Sequence, residues 1–168
     1  MTLKAGNHPA VADAGRQKYL VFRLANEEYG IDILKVQEIR GCDRVTRIPN
    51  VPEFITGVTN LRGVIVPIVD LRVRFELAVE AENTAAVVIV LNLKDRVLGV
   101  MVDGVADVLS LDESQIRPTP DVSSVMASSY LEGIGVIDKR MVILVDIEML
   151  LSREEMQVVG SLADAMAE

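Results

Sequence analysis

Nucleophilic catalysis needs a Ser, Thr or Cys beside a base, and this chain carries one imidazole, His8, and one thiol, Cys42. His8 sits in a polar stretch with Lys4, Asn7, Pro9 and Asp13, where the plain reading is a solvated tail residue. Cys42 lies between Gly41 and Asp43 ahead of a basic stretch. Nearby cations lower a thiol pKa, but a thiol without a base reads as inert. One His and one Cys cannot build the usual His/Cys zinc sites, and a single Cys excludes an internal disulfide. Gly133-Ile134-Gly135 opens a dinucleotide-binding pattern, yet Asp138 stands where the third Gly belongs, and no helix is expected to follow. No P-loop, zincin or EF-hand pattern occurs, and the 25 carboxylates are scattered as a solvated acidic surface requires. The expectation is a protein without catalysis, metal or cofactor. The chemistry left is recognition: Arg62 at a Gly-containing hairpin tip, and Glu38 within Val36-Gln37-Glu38-Ile39-Arg40, set charges beside apolar residues. Their plainer roles are a solvated turn residue and an exposed strand position.

Composition limits what can position these groups. The 168 residues include 26 Val and 13 Ile against 17 Leu, with no Trp, and β-branched side chains favour strands over helical bundles. A net charge of -8 repels a phosphate backbone, so nucleic acid is not an expected partner. The longest apolar run, Ala85 to Leu91, has seven residues, where a spanning helix needs about 20. No membrane insertion is expected, residues 1–17 lack the apolar core of a signal peptide, and the chain reads as cytoplasmic.

From Lys18 onward, short apolar runs alternate with turn residues. Tyr19 to Leu24 and Tyr29 to Leu34 read as strands joined at Asn26-Glu27-Glu28, and Val36 to Arg40 as a third. After Pro49 and Pro52, Gly57-Val58-Thr59, the turn Asn60-Leu61-Arg62-Gly63 and Val64 to Leu71 make a second hairpin. Pro67 predicts an unpaired side or a bulge, because proline has no N–H to give a ladder. Beyond a polar break at Glu80 to Thr84, the plan repeats: Ala85 to Leu93, a turn at Lys94-Asp95-Arg96, Val97 to Leu111, a Pro-marked loop, Leu131 to Ile137, a turn at Asp138-Lys139-Arg140, and Met141 to Asp146.

Constant offsets support the repeat. A shift of 69 places Gly30 on Gly99, Val36 on Val105, Glu38 on Asp107, Ile39 on Val108 and Pro49 on Pro118. A shift of 76 places Gly57 on Gly133, Val58 on Ile134, Asp70 on Asp146 and Leu71 on Ile147. Paired Gly, Pro and Asp at fixed distance imply two similar units, approximately 18–82 and 83–152, each of about five strands and the size of an SH3-like barrel. The predicted fold is mostly β: two similar SH3-like five-stranded β barrels packed together, with strand exchange between them left open. A short C-terminal helix is expected around Ser152-Arg153-Glu154-Glu155, which has capping-box spacing, with fraying after about Val159. Residues 1–17 read as a flexible tail, 18–155 as the domain, and 156–168 as the end of the C-terminal helix and a tail.

Val64 to Val69, Val87 to Leu91 and Met141 to Val145 are apolar on both parities, so both faces call for burial. Packing between two barrels would account for part of this. The remainder would be a partner-binding surface.

The stretches Glu28-Tyr29-Gly30-Ile31-Asp32-Ile33-Leu34-Lys35-Val36-Gln37-Glu38-Ile39-Arg40 and Gly57-Val58-Thr59-Asn60-Leu61-Arg62-Gly63-Val64-Ile65-Val66-Pro67-Ile68-Val69-Asp70-Leu71-Arg72 resemble the CheW family of bacterial chemotaxis coupling proteins, and its enterobacterial form in particular. The resemblance runs over about Lys18 to Glu155, including Val87-Val88-Ile89-Val90-Leu91-Asn92-Leu93, Val102-Asp103-Gly104-Val105 and Gln115-Ile116-Arg117-Pro118. It implies two SH3-like barrels and a non-catalytic adaptor, cytoplasmic and recruited to membrane-associated receptor arrays. The adaptor would join the cytoplasmic tips of methyl-accepting chemotaxis receptors to the regulatory domain of the chemotaxis histidine kinase, with ring contacts between copies. For receptor binding it points to Val36, Glu38, Gly57, Asn60, Arg62 and Gly63, and for kinase binding to Val105, Val108, Arg117 and Val122. The alternative it leaves is a CheW-like regulatory fragment of a larger kinase, or of a coupling protein fused to a receiver domain.

Overall fold

Runs of Val and Ile bounded by turn residues become strands because a branched Cβ packs well on a pleated surface. The computed structural model describes residues 16–41, 45–74, 86–93, 96–118 and 130–150, together with 157, 159 and 161. Its strands are β1 (Arg16–Leu24), β2 (Glu27–Asp32), β3 (Val36–Gly41), β4 (Ile55–Leu61), β5 (Val64–Asp70), β6 (Val87–Leu93), β7 (Arg96–Val102), β8 (Gly104–Asp112), β9 (Ile116–Arg117), β10 (Leu131–Ile137) and β11 (Arg140–Val145). They form a six-stranded sheet in the order β8-β1-β2-β11-β10-β9 and a five-stranded sheet in the order β3-β6-β7-β5-β4.

These sheets do not coincide with the halves 18–82 and 83–152. The first hairpin of the first half, β1–β2, lies between β8 and β11 of the second, and the first hairpin of the second half, β6–β7, lies between β3 and β5 of the first. The exchange is reciprocal. Its parallel seams are equivalent under the two offsets, with Leu144 opposite Gly30 in one sheet and Ile68 opposite Gly99 in the other. Both glycines are needed for closeness. A Cβ on Gly30 would lie 3.1 Å from Leu144 Cδ2, and one on Gly99 would lie 2.7 Å from Ile68 Cδ1.

The exchange explains the strands that are apolar on both parities. Each has one face in a core between the sheets and the other inside its own curled sheet. Ile89, Leu91 and Val69 join Leu20, Phe22 and Ile31 in the central core. Val88, Val90, Val66 and Ile68 fill the five-stranded sheet, and Tyr19, Val21, Val142 and Leu144 fill the other. Exposed large apolar residues include Leu34, Ile39, Val64, Val108, Met141 and Met149.

Several local expectations shift. The strand starts at Arg16 rather than after a tail ending at Gln17, because β8 lies alongside and Arg16 meets Asp112 at 3.4 Å. Ile33–Lys35 form a 3₁₀ turn capped by the Asp32 carboxylate, which ends β2 at Asp32 instead of Leu34. Val97 to Leu111 breaks into two strands at Asp103. Around Pro67 the ladder has one paired side, since Pro67 lies opposite Val58 while pairing with β7 starts at Ile68. The bulge of that hairpin falls between Ile55 and Gly57. At the end of β11, a helix begins at Ile147 with the Asp146 side chain accepting from the Glu148 N–H at 3.0 Å. Gln157, Val159 and Ser161 are helical, and Val159 is fully buried in the central core. The Ser152-to-Glu155 capping box, the Glu80-to-Thr84 break, His8 and Cys42 lie outside the described residues.

Candidate partner-docking site

Glu38 belongs to β3 and Arg62 to the β4–β5 turn. Because β3 and β4 are the two outer strands of one sheet, a contact between these residues links its open edges. Arg62 Nη2 donates to Glu38 Oε1 at 2.6 Å and Nη1 donates to Oε2 at 3.4 Å. Two-residue hairpin loops need positive φ, since only that twist matches the flanking strands. Here Arg62 has φ 52° and Gly63 has φ 88°, and the Asn60 side-chain Oδ1 accepts the Gly63 N–H at 2.7 Å. The turn is therefore tighter than Asn60-Leu61-Arg62-Gly63: Asn60 and Leu61 end β4, and Asn60 serves as the side-chain brace. Arg62 keeps 68% of its side chain exposed, against 25% for Glu38. The guanidinium beside it holds the Glu38 carboxyl below the ordinary glutamate range, and the carboxylate in turn raises Arg62.

Of the other candidates, Asn60 and Gly63 are exposed next to this pair, as are Ile39 and Val64. Val36 is half-buried and packs against the central core. Gly57 is internal. A Cβ there would come within 2.1 Å of the Thr46 carbonyl oxygen, in the place where Thr46 and Val58 exchange two backbone hydrogen bonds of 2.7 and 2.9 Å. The glycine keeps the β4 edge open to that bridge. In the six-stranded sheet, Val108 is exposed on the outer strand β8, and Arg117 is exposed on the opposite outer strand β9. Val105 is half-buried against the central core. Val122 lies outside the described residues.

Three ionic groups escaped sequence reasoning. Arg140 donates to Glu28 at 2.7 Å and to Asp107 at 2.6 Å, and it holds Asp107 below the ordinary aspartate range. The offset that carries Glu38 onto Asp107 was the available signal, but the guanidinium comes from β11 instead of the turn. Buried Arg72 meets Asp70 at 3.1 Å and Asp103 at 3.2 Å, tying the helix Leu71–Arg74 to the point where the chain leaves one sheet for the other. Lys35 does the corresponding work at the other crossover, reaching Glu148 at 2.5 Å and Asp146 at 3.7 Å. The charges are reversed between these two latches. Among the described residues, no three His, Cys, Asp or Glu side chains are grouped to hold a metal ion, and no helix is long and apolar enough to cross a membrane.

Residues 18–155 match the family model described as the CheW-like domain. The chain is 61% identical over 147 residues to the chemotaxis protein CheW of Klebsiella aerogenes, covering 88% of this chain and 89% of that one. It is 37% identical over 141 residues to the probable chemotaxis protein CheW of Rhizobium etli, with 84% and 91% covered. Among solved structures it is similar to the crystal structure of the scaffolding protein TtCheW from Thermoanaerobacter tengcongensis, with a TM-score of 0.74, 36% identity, and 81% and 92% of the two chains covered.

Proposed function

The chain belongs to the CheW-like domain family, and from that membership we propose that it is a non-catalytic adaptor coupling methyl-accepting chemotaxis receptors to the chemotaxis histidine kinase. The observation that carries this reading is the Glu38–Arg62 pair, an ionic clasp held at the surface by a braced hairpin and flanked by exposed Ile39 and Val64. A helical hairpin from a receptor tip gains free energy by burying its apolar stripe, while rim charges set its orientation and exclude wrong partners. Val36, Glu38, Asn60, Arg62 and Gly63 form the proposed receptor side, with Gly57 supporting it from within. Val105, Val108, Arg117 and Val122 are assigned to the kinase regulatory domain. This second contact and contacts between copies would extend the assembly into an array, and the protein would work in the cytoplasm beneath the receptors.

The test is reconstitution. Added to receptor-containing membranes and kinase, the protein raises kinase phosphorylation and shows no activity alone. Equal kinase output with and without it refutes the adaptor reading.

A further inference from the structure

The five-stranded sheet has a pocket of about 130 Å³ between its outer strands, with Val45, Val88 and Val90 as an apolar lining and Arg40, Thr59 and Asn60 around the mouth. The other sheet repeats the fold but carries different groups at the corresponding positions, a larger ring among them. The shift of 69 puts Tyr19 in the place of Val88 and Leu109 in that of Arg40, and the shift of 76 puts Val136 in that of Asn60. Tyr19 is buried in that sheet's own core, and Leu109 packs against the same cluster. The two units therefore differ in the side chains that line this place.

Its chemistry specifies the occupant. Apolar cavities of comparable size, near 150 Å³, take up a small hydrocarbon such as benzene, and the Val45, Val88 and Val90 side of this half-polar pocket offers packing for one branched aliphatic side chain. Arg40 stands at the mouth and reaches Glu38 only at 3.9 Å, beyond hydrogen-bonding range, which leaves guanidinium donors for an incoming carboxylate. Residues one turn apart on a helix share a face, so a helix presenting an aliphatic residue and an acid at that spacing satisfies both features. We infer that this pocket takes an aliphatic side chain of the receptor-tip hairpin while Arg40 pairs with an acidic residue one helical turn away, an inference that rests on the receptor-docking reading above and extends its surface past the Glu38–Arg62 clasp.

Transplanting the other unit's residues gives the test. The receptor-tip hairpin is titrated against the wild type, Val88→Tyr, Arg40→Leu, Arg40→Glu and Arg62→Asp, with the kinase regulatory domain as a second ligand. Val88→Tyr and Arg40→Leu should each weaken the hairpin about tenfold, as loss of one anchor or one charge-assisted bond does, and Arg40→Glu should weaken it further. Kinase-domain affinity and far-ultraviolet circular dichroism should stay at wild-type values. If Val88→Tyr fails to fold, the exposed Arg40 variants decide alone. Hairpin affinity within twofold of wild type in the Arg40 variants, with Arg62→Asp defective, refutes the pocket and leaves the docking reading standing. A kinase-domain defect in place of the hairpin defect refutes the assigned occupant, and a hairpin that does not bind the wild type overturns both readings.

Discussion

Glu38 and Arg62 come from opposite edges of one sheet and meet at 2.6 Å. Glu38→Lys or Arg62→Asp should weaken receptor-tip binding while circular dichroism and kinase-domain binding persist. The reversed pair Glu38→Arg/Arg62→Glu restores the clasp but inverts the charges offered to the ligand. Its binding therefore separates a bracing role, in which affinity recovers, from direct recognition, in which it does not. Unfolding of either single variant would make the pair structural and remove it from the docking site.

Salt should divide the two proposed contacts. Receptor docking over charged rim residues weakens as salt rises from about 0.1 M to about 1 M, where the Debye length falls from about 10 Å to about 3 Å. Kinase pairing through exposed apolar side chains such as Val108 changes little over the same range. Arg117→Asp should reduce kinase pairing and spare the receptor, because a carboxylate packed into an interface loses hydration that one surface charge does not recover. Isothermal titration of both partners at the two salt concentrations checks this. Unchanged kinase affinity in the variant removes Arg117 from the interface.

The two crossover latches should differ in energetic weight. Arg72→Met takes the guanidinium from the Asp70 and Asp103 carboxylates in a mostly buried site, and breaking a buried pair in this way costs up to about 3–5 kcal/mol. Lys35→Met removes a pair that solvent reaches, a loss of about 1 kcal/mol or less. Urea unfolding of both variants reads the difference. Equal midpoints would show that the exchange is held by apolar packing alone.

Two glycines near the site should respond to alanine for different reasons. Gly63→Ala has open space but must hold φ at 88°, a strain of about 1–2 kcal/mol. Gly57→Ala must also push a Cβ away from the Thr46 backbone oxygen, and backbone yields less readily than a side chain. The thermal midpoint should fall further for Gly57→Ala, and the opposite order would mean that the Thr46 bridge is dispensable.

Burial first, then the Glu132 and Asp32 carboxylates, push the Tyr19 phenol up from about 10 to about 12. A raised folded value means that the native state keeps its proton longer than the unfolded chain. The associated stability is complete below about pH 10 and is lost as pH rises toward about 12. Absorbance at the tyrosinate band should show a late-ionising group that disappears in Tyr19→Phe. A Tyr19 ionisation at the ordinary value would overturn its burial.

What the residues determine by themselves is local: two-residue periodicity, turn chemistry, and the offsets that pair Gly30 with Gly99 and Asp70 with Asp146. These patterns make the strands, the hairpins and the existence of two like units legible, and the motif around Glu38 and Arg62 points to the edge proposed for docking. Which hairpin enters which sheet is a different question, because either assignment satisfies the same alternation. Packing decides it, through the fit of Leu144 over Gly30 and Ile68 over Gly99 and through the latches at Lys35 and Arg72. The Arg140–Asp107 contact, the half-burial of Val36 and Val105, and the internal place of Gly57 likewise belong to the tertiary structure. Their causes are neighbours brought in from distant parts of the chain, which no local pattern specifies.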